Sequence, residues 1–545
     1  MTQETRGMTD AAECLIHGAL LIDGSGAEPR RGDLAVRGDR IMALGNLDGI
    51  AAARHIDAEG LCLAPGFIDI HSHSDYYLVI NPDASSKLLQ GVTTEVGGNC
   101  GYAAAPVWGA ARDERRDLYR EQFGIDAAWD DLASYGRHLE RLGIALNYAP
   151  LIGHNTIRAS AMGMDDRSPS AAEMASMRHA VARAMECGAF GLSTGFVYAP
   201  ACFASAEEFI DLARIVRSHG GIITSHIRSE GDGLIEAIEE ILHIARAAAA
   251  PVQISHLKTF GAANWGKLDA VFARLEAAQA EGIEVHCDRY PYLAANTGLS
   301  AVLPRWALAG GVDEQVRRCS QEEPRQALKE AVQAEHPDAA YWEKVVISEV
   351  TQERNRELEG LSITACAERR GRGPIDLVLD LLADERMNVA ILLFTMNEAN
   401  LRRILRKPYV MIGSDAGCRS HVGPLARGKP HPRGFGTFAR VLGQLCRDEG
   451  LFELATGVFK MTGAPARKLG LRRRGLLRQG FSADLVLFDP ATIADEATYE
   501  EPLRYPRGIQ AVFVNGTLSV WEGHHLGSRA GRFLRKDGEC GPALG

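Results

Sequence analysis

The chain has 545 residues, 46% hydrophobic and 24% charged, which suits a soluble globular enzyme and exceeds one ordinary domain. Its formal net charge of −10 argues against a nucleic-acid or anionic-membrane partner, and no apolar run is long enough to span a bilayer. The 11 cysteines are scattered without a CxxC pair, and the polar start MTQETRGMTDAAECL leads into no signal-peptide core, so a reduced, cytoplasmic chain is expected.

Residues 1–64 read as short strands, in CLIHGALLIDGSG and GDLAVRGDRIMALG, with Gly and Asp at the turns. Next comes APGFIDIHSHSD, in which residues 67 to 70 predict a buried strand with Asp69 inside it. Because residues i and i+2 of a strand share a face, His71 and His73 should emerge together. Two imidazoles aimed at one point make half of a metal site, the plainer alternative being two loop histidines. From about Pro65 to Gly470 apolar strands then alternate with helical patterns. After FIDIHSH the candidate strands are GVTTEVGGNCG, ALNYAPLIGHN, AFGLSTGFVY, GIITSHIRSE, APVQISHLK, IEVHCDRYPY and YVMIGSDAG. SAAEMASMRHAVARAMECG is helix-like, and GLIEAIEEILHIARAAA carries Ile235, Ile238, Ile241 and Leu242 on one amphipathic face.

Eight strands with intervening helices predict an α/β fold, a TIM-like (β/α)8 barrel over residues 65–470. A doubly wound open sheet is the alternative, but no GxGxxG follows an early strand. The stretch from Tyr292 to Tyr409 exceeds one helical crossover and predicts an inserted subdomain, about residues 297–405, between the last two barrel strands. Strand texture returns in GFSADLVLFDP and GIQAVFVNGTLSVWEG, where Asn515-Gly516 signals a hairpin. Residues 471–545 are therefore expected to complete, with residues 1–64, one small β-sandwich built from both termini.

In such a barrel the C-terminal strand ends converge on one mouth, where chemistry collects. These ends carry His71 and His73, Cys100, His154, His226, His256 and Asp415. Four imidazoles with a thiolate and a carboxylate favour zinc over magnesium or calcium. Two divalent ions held close together need a bridging anion, and many barrel hydrolases use a carbamylated lysine on the fourth strand. AFGLSTGFVYAP contains no lysine. Cys100, in the turn GGNCGY whose glycines predict a tight, exposed loop, is the expected substitute, with Glu95 as competitor and a buried small side chain as the plain reading of Cys100.

PGFIDIHSHSD, GVTTEVGGNCGYAAAP, SHIRSE, ISHLKTFG, DRYPY, IGSDAG and HPRGFGTFARVLG together resemble the N-acyl-D-amino-acid deacylases (D-aminoacylases) of the amidohydrolase superfamily. The resemblance runs from about Leu15 to Trp521. It implies zinc-dependent hydrolysis of N-acyl-D-amino acids to a carboxylic acid and a D-amino acid, L-Xaa-D-Xaa dipeptides included. It implies that Cys100, His226 and His256 hold a tightly bound Zn2+, and that His71 and His73, with Cys100 and Asp415, form a second, weaker site. Asp415 would be the general base for the hydrolytic water. Arg433, Lys258 and Tyr290 would hold the substrate α-carboxylate. The loop from Asp415 to Arg433 is longer than the family pattern, which makes Arg427 a rival of Arg433. Residues after Thr297, where side-chain specificity would be set, are mostly apolar with one arginine, Arg305. His154, His286 and His431 have no identifying partner and read as structural. Rival readings are a cyclic-amide hydrolase or a dipeptidase and, from another class, an inactive barrel serving as a binding module. The expected partner is a small-molecule substrate, with no nucleic acid and no membrane, and a homo-oligomer is left open.

Overall fold

The computed structural model describes residues 11–536. The first ten residues of the polar N-terminal stretch, on which the expectation of no signal segment rests, lie outside the described residues, as does Cys540.

Eight parallel strands form the central sheet: β1 (Phe67–Asp69), β2 (Val92–Gly97), β3 (Asn147–Gly153), β4 (Gly191–Gly195), β5 (Ile222–His226), β6 (Val252–Ile254), β7 (Val285–Arg289) and β8 (Val410–Ile412). They pair in chain order, and a parallel bridge between Ser72 and Ala416, just past β1 and β8, closes the ring. Every residue of β2, β3, β4 and β5 is buried, because the helices cover the outside and side chains fill the inside. That is why these strands read as continuous apolar or small runs rather than as alternating ones.

The helices follow from their own patterns. Ser170 and Glu173 form a capping box at the start of the helix Ala171–Glu186. In the helix Leu234–Ala248, Ile238, Ile241 and Leu242 are buried against the barrel, while Glu236, Glu239, His243 and Arg246 face water. Ile235, placed on that face by its spacing, sits half-buried at its edge.

Strands from both ends of the chain form one nine-stranded sheet, a second, all-β domain. The join is an antiparallel pairing of Cys62–Pro65 with Leu485–Phe488. Both faces of the sheet are apolar. Ile16, Leu34, Leu485 and Phe513 fill one side, and Phe488, Val512 and Val514 pack on the other against Phe438 and Leu442 of the helices that follow β8. Asn515 and Gly516, at φ +47° and +81°, make the two-residue turn between Ile509–Val514 and Thr517–Trp521. An Asn-Gly pair adopts those positive angles cheaply, and their twist matches that of the strands. Between β7 and β8 the chain adds a three-stranded antiparallel sheet, with Ala390–Leu393 between Ala295–Gly298 and Val345–Glu349. It has its own core, which includes Leu328, Trp342, Ile347 and Leu382.

A buried polar seam joins the barrel to the terminal sheet. Asp484 pairs with Arg474 and accepts a 2.7 Å bond from the Asn515 backbone N–H. The Asn147 amide of β3 approaches the same carboxylate at 3.3 Å. Removing one partner of a buried pair strands the other charge and costs about 3–5 kcal/mol. Asp484→Ala should therefore lower the unfolding midpoint clearly while leaving bound metal per folded chain unchanged. An unaltered midpoint would show that the seam carries no stability.

Candidate metal centre and active site

The sequence-predicted residues gather at the C-terminal mouth of the barrel. His71 and His73 follow β1, Cys100 follows β2, His226 ends β5, His256 follows β6 and Asp415 follows β8. Cys100, His256 and Asp415 have φ values of +52°, +36° and +52°. Residues other than glycine rarely adopt this left-handed conformation, and it persists only where the surroundings hold it. The turn at Cys100 departs from expectation in one respect, because it is buried rather than exposed. Its glycines serve close packing. A Cβ at Gly101 would collide with the Asn155 side chain, which accepts a 3.0 Å bond from Gly195 N–H at the end of β4.

Cys100 Sγ lies 3.4 Å from His71 Nε2 and 3.5 Å from His256 Nε2. Asp415 Oδ1 lies 3.3 Å from His71 Nε2 and 2.9 Å from His73 Nε2. One donor atom each from His71, Cys100, His256 and Asp415 falls within 4.8 Å of every other, and His226, Glu230 and His256 make a second such group. The rings of His226 and His256 meet edge to face with centroids 4.3 Å apart.

The charges are strongly coupled. Burial opposes ionisation of the Cys100 thiol, but His71 and His256 outweigh it and hold the thiol well below its ordinary value. Burial likewise opposes the charge of Asp415, which Arg433, His256 and His71 nonetheless keep well below the usual carboxylate range. His226, penalised by burial and by neighbouring His256, titrates below the ordinary imidazole value.

Two carboxylates absent from the sequence expectations orient the imidazoles. Asp288, at the end of β7, accepts from His71 Nδ1 at 3.0 Å and from the His256 backbone N–H at 2.7 Å. That contact keeps the proton on Nδ1 and turns His71 Nε2 toward Cys100. Glu230 stands 2.9 Å from His256 Nδ1 and pairs with Lys258. Their signals in the sequence were faint: Glu230 follows His226 by four residues in SHIRSE, and Asp288 lies in CDRYPY, one of two predicted strands given no charged candidate.

The cationic residues also converge. Arg433 is buried, its Nη1 is 2.7 Å from Asp415 Oδ2, and its guanidinium lies 4.4 Å from the centre of the Tyr290 ring. The Asp415 contact lacks hydrogen-bond angles, so among the described residues Arg433 Nε and Nη1 and Tyr290 Oη are buried donors without a hydrogen-bond partner. Burial opposes ionisation of the Tyr290 phenol, but Lys258, Arg289 and Arg433 outweigh it and pull the phenol below its ordinary value. His431 accepts a 3.0 Å bond from Arg433 N–H and donates to the Ala294 carbonyl at 2.9 Å, which fixes the loop. Lys258, Tyr290 and Arg433 line a cavity of about 710 Å³, together with His73, Cys100, His226, His256 and Asp415.

The competing candidates are engaged elsewhere. Arg427 pairs with Glu349 at 2.6 Å, and Arg305 with Asp166 at 2.9 Å on the surface. Glu95 sits 2.9 Å from Lys87, both fully buried. His154 bonds Glu208 and Thr194, and His286 lies beside Glu284.

The description of the amidohydrolase family matches residues 54–520. Over 524 residues the sequence is 40% identical to D-aminoacylase of Alcaligenes xylosoxydans xylosoxydans, covering 96% of this chain and 98% of that protein. The chain belongs to the D-aminoacylase family of amidohydrolases. N-acyl-D-aspartate deacylase of the same organism is 37% identical over 533 residues, 96% of this chain and 95% of that one. The solved N-acyl-D-glutamate deacylase of Bordetella bronchiseptica, complexed with zinc and a phosphonate mimic of the tetrahedral intermediate, matches with a TM-score of 0.81 at 35% identity. That match covers 96% of this chain and all of that one. Among the described residues of this amidohydrolase, no helix is long and apolar enough to cross a membrane.

The donor set fits a divalent transition metal, because one ionisable thiol, several imidazoles and a carboxylate converge there. Cys100→Ala is expected to lose most bound zinc by elemental analysis of the folded protein. Full retention of metal in that variant would remove Cys100 from the ligand set.

Proposed function

We propose that this amidohydrolase cleaves the amide bond of N-acyl-D-amino acids, releasing a carboxylic acid and a D-amino acid. In this reading Cys100, His226 and His256 hold one zinc ion tightly, and His71, His73, Cys100 and Asp415 form a weaker second site. When bound, zinc supplies Lewis acidity, which activates water and polarises a carbonyl. The observation that carries the reading is the placement of Arg433, Lys258 and Tyr290 in the same cavity as the metal-ligand set.

The residues divide the work by their chemistry. Arg433 Nε and Tyr290 Oη are buried donors without a hydrogen-bond partner, and the free α-carboxylate of an N-acyl amino acid is an acceptor suited to them. Arg433 offers planar, bidentate geometry, Lys258 adds charge and Tyr290 a hydroxyl. Asp415 is ionised at neutral pH and stands where it can take a proton from water and return it to the leaving amine. A substrate carboxylate arriving at Arg433 shares the charge that depresses Asp415, and so restores basicity to that base in the complex. A cyclic amide without a free α-carboxylate, such as a hydantoin ring, leaves these donors unmet. A dipeptide ending in a D-residue carries that carboxylate, and falls within the same activity. The D configuration rests on the likeness to the deacylases.

The cavity favours an uncharged substrate side chain. Among the described residues, the further arginines lining it are already engaged: Arg228 with Glu240 at 2.8 and 3.0 Å, and Arg419 with Glu349 at 2.5 Å, a carboxylate it shares with Arg427. Met164, Phe260, Val302, Leu308 and Leu393 supply apolar walls, three of them from the segment between β7 and β8.

The test is a panel of N-acetyl-D- and L-amino acids offered to zinc-loaded protein, with free amine measured. N-acetyl-D-leucine should be turned over best, with N-acetyl-D-aspartate and N-acetyl-D-glutamate lower by about tenfold or more, the loss from an unpaired buried carboxylate. Preference for the acidic substrates would refute the side-chain assignment, and release from none of the D-substrates would refute the deacylase reading. Asp415→Asn should keep the tightly held zinc and lose turnover by about 10²–10⁴-fold, the usual worth of general acid–base assistance. Arg433→Ala should cost about 2–5 kcal/mol in kcat/KM for the acid substrate and far less for its neutral amide analogue. Equal losses on both would make Arg433 a structural loop residue.

A further inference from the structure

Beneath the candidate metal ligands lies a second charged cluster that the reaction does not use. Lys87, Asp69 and Glu95 are all fully buried. Lys87 Nζ donates to Asp69 Oδ2 at 2.7 Å, to Ser414 Oγ at 2.7 Å and to the Ala416 carbonyl at 2.8 Å, and lies 2.9 Å from Glu95 Oε1. Asp69 in turn accepts 2.8 and 2.5 Å bonds from Ser414 N–H and Oγ–H, and a 3.3 Å bond from His71 N–H.

Each member of the cluster touches an element that bears a site residue. Asp69 ends β1 just before His71, Glu95 lies in β2 ahead of Cys100, and Ser414 and Ala416 flank Asp415. Asp415 itself is held at φ +52°, and its N–H donates to the His71 carbonyl at 2.8 Å. A residue in that conformation stays there only if its neighbours are fixed. Burying an ammonium and two carboxylates gains little stability over an apolar packing of equal volume, so stability alone does not account for the cluster. Short charge-assisted bonds do give direction, and these fall on Ser414 and Ala416, the two residues on either side of Asp415.

We propose that Lys87, acting with Asp69 through Ser414, is a positioning residue. It clamps the backbone around Asp415 and so sets where that carboxylate sits relative to His71, His73 and the reacting water. The proposal rests on the reading of Asp415 as base and ligand. The clamp should contribute to kcat and not to substrate binding, because the side chains that form it, Lys87, Asp69 and Ser414, do not line the cavity.

Ser414→Ala removes the bridging hydroxyl without stranding a charge. Lys87→Met combined with Glu95→Gln removes the ammonium together with one of its counter-charges. Both are compared with wild type for kcat and KM on the best N-acetyl-D-amino acid, for zinc per chain, and for the visible absorption of the cobalt(II)-substituted protein. Ser414→Ala should keep its zinc and its KM while kcat falls about tenfold to a hundredfold, the scale of a small misplacement of a catalytic group. Its cobalt bands should shift in the direction given by Asp415→Asn. Unchanged kcat with unshifted bands would overturn the proposal, as would a loss of kcat matched by an equal loss of metal. Should the double variant fail to fold, Ser414→Ala decides the matter alone. If wild type releases no amine from any D-substrate, the deacylase reading fails, and the cobalt spectra still decide whether the clamp sets the ligation of Asp415.

Discussion

A thiol buried among imidazoles cannot gain or lose its proton independently of them. Cys100 stands within 3.5 Å of ring nitrogens from His71 and His256, and the surrounding structure is arranged to make that contact possible. Its backbone is held in the left-handed conformation by a turn whose glycines leave room for β3 and β4. The imidazoles are turned toward it by Asp288 and Glu230, whose own charges are held by hydrogen bonds and by Lys258. Charges of alternating sign thus surround the thiol in successive layers, which is how a low-dielectric interior tolerates so many ionisable groups.

The closed barrel makes this arrangement durable. Its strand ends converge from all sides, so ligands distant in sequence meet with little backbone freedom. The bridge from Ser72 to Ala416 closes the ring beside Asp415 itself, and the buried Lys87 cluster braces the same seam from below. The segment between β7 and β8 and the loop leading to Arg433 supply much of the rest of the cavity lining.

The barrel was legible in the sequence because each strand is a short apolar run that ends in a polar residue at a β-to-loop boundary. Gathering of His71, His73, Cys100, His226, His256 and Asp415 followed from that topology without knowledge of any contact. Other features left no such trace. Nothing local marks Cys100, His256 and Asp415 as left-handed, since glycine is the residue that signals positive φ. Asp288 meets His71, and Lys87 meets Ser414, across hundreds of residues of chain, and a lone charge within an apolar strand or a short helix announces no partner. The turn at Cys100 read as exposed because glycines mark turns, whereas here they also mark close backbone packing. Arg433 stood ahead of its rival Arg427 by resemblance alone, whereas in the fold Arg433 lines the cavity beside Asp415 and Arg427 pairs with Glu349.

The claim that a thiolate takes the place of a lysine-derived bridge is tested most directly by X-ray absorption at the zinc edge of the metal-loaded protein. The expected spectrum contains a sulfur neighbour at about 2.3 Å beside nitrogen and oxygen at about 2.0–2.2 Å. A coordination shell fitted by nitrogen and oxygen alone would contradict the account, since Cys100 would then lie beside the metal without binding it.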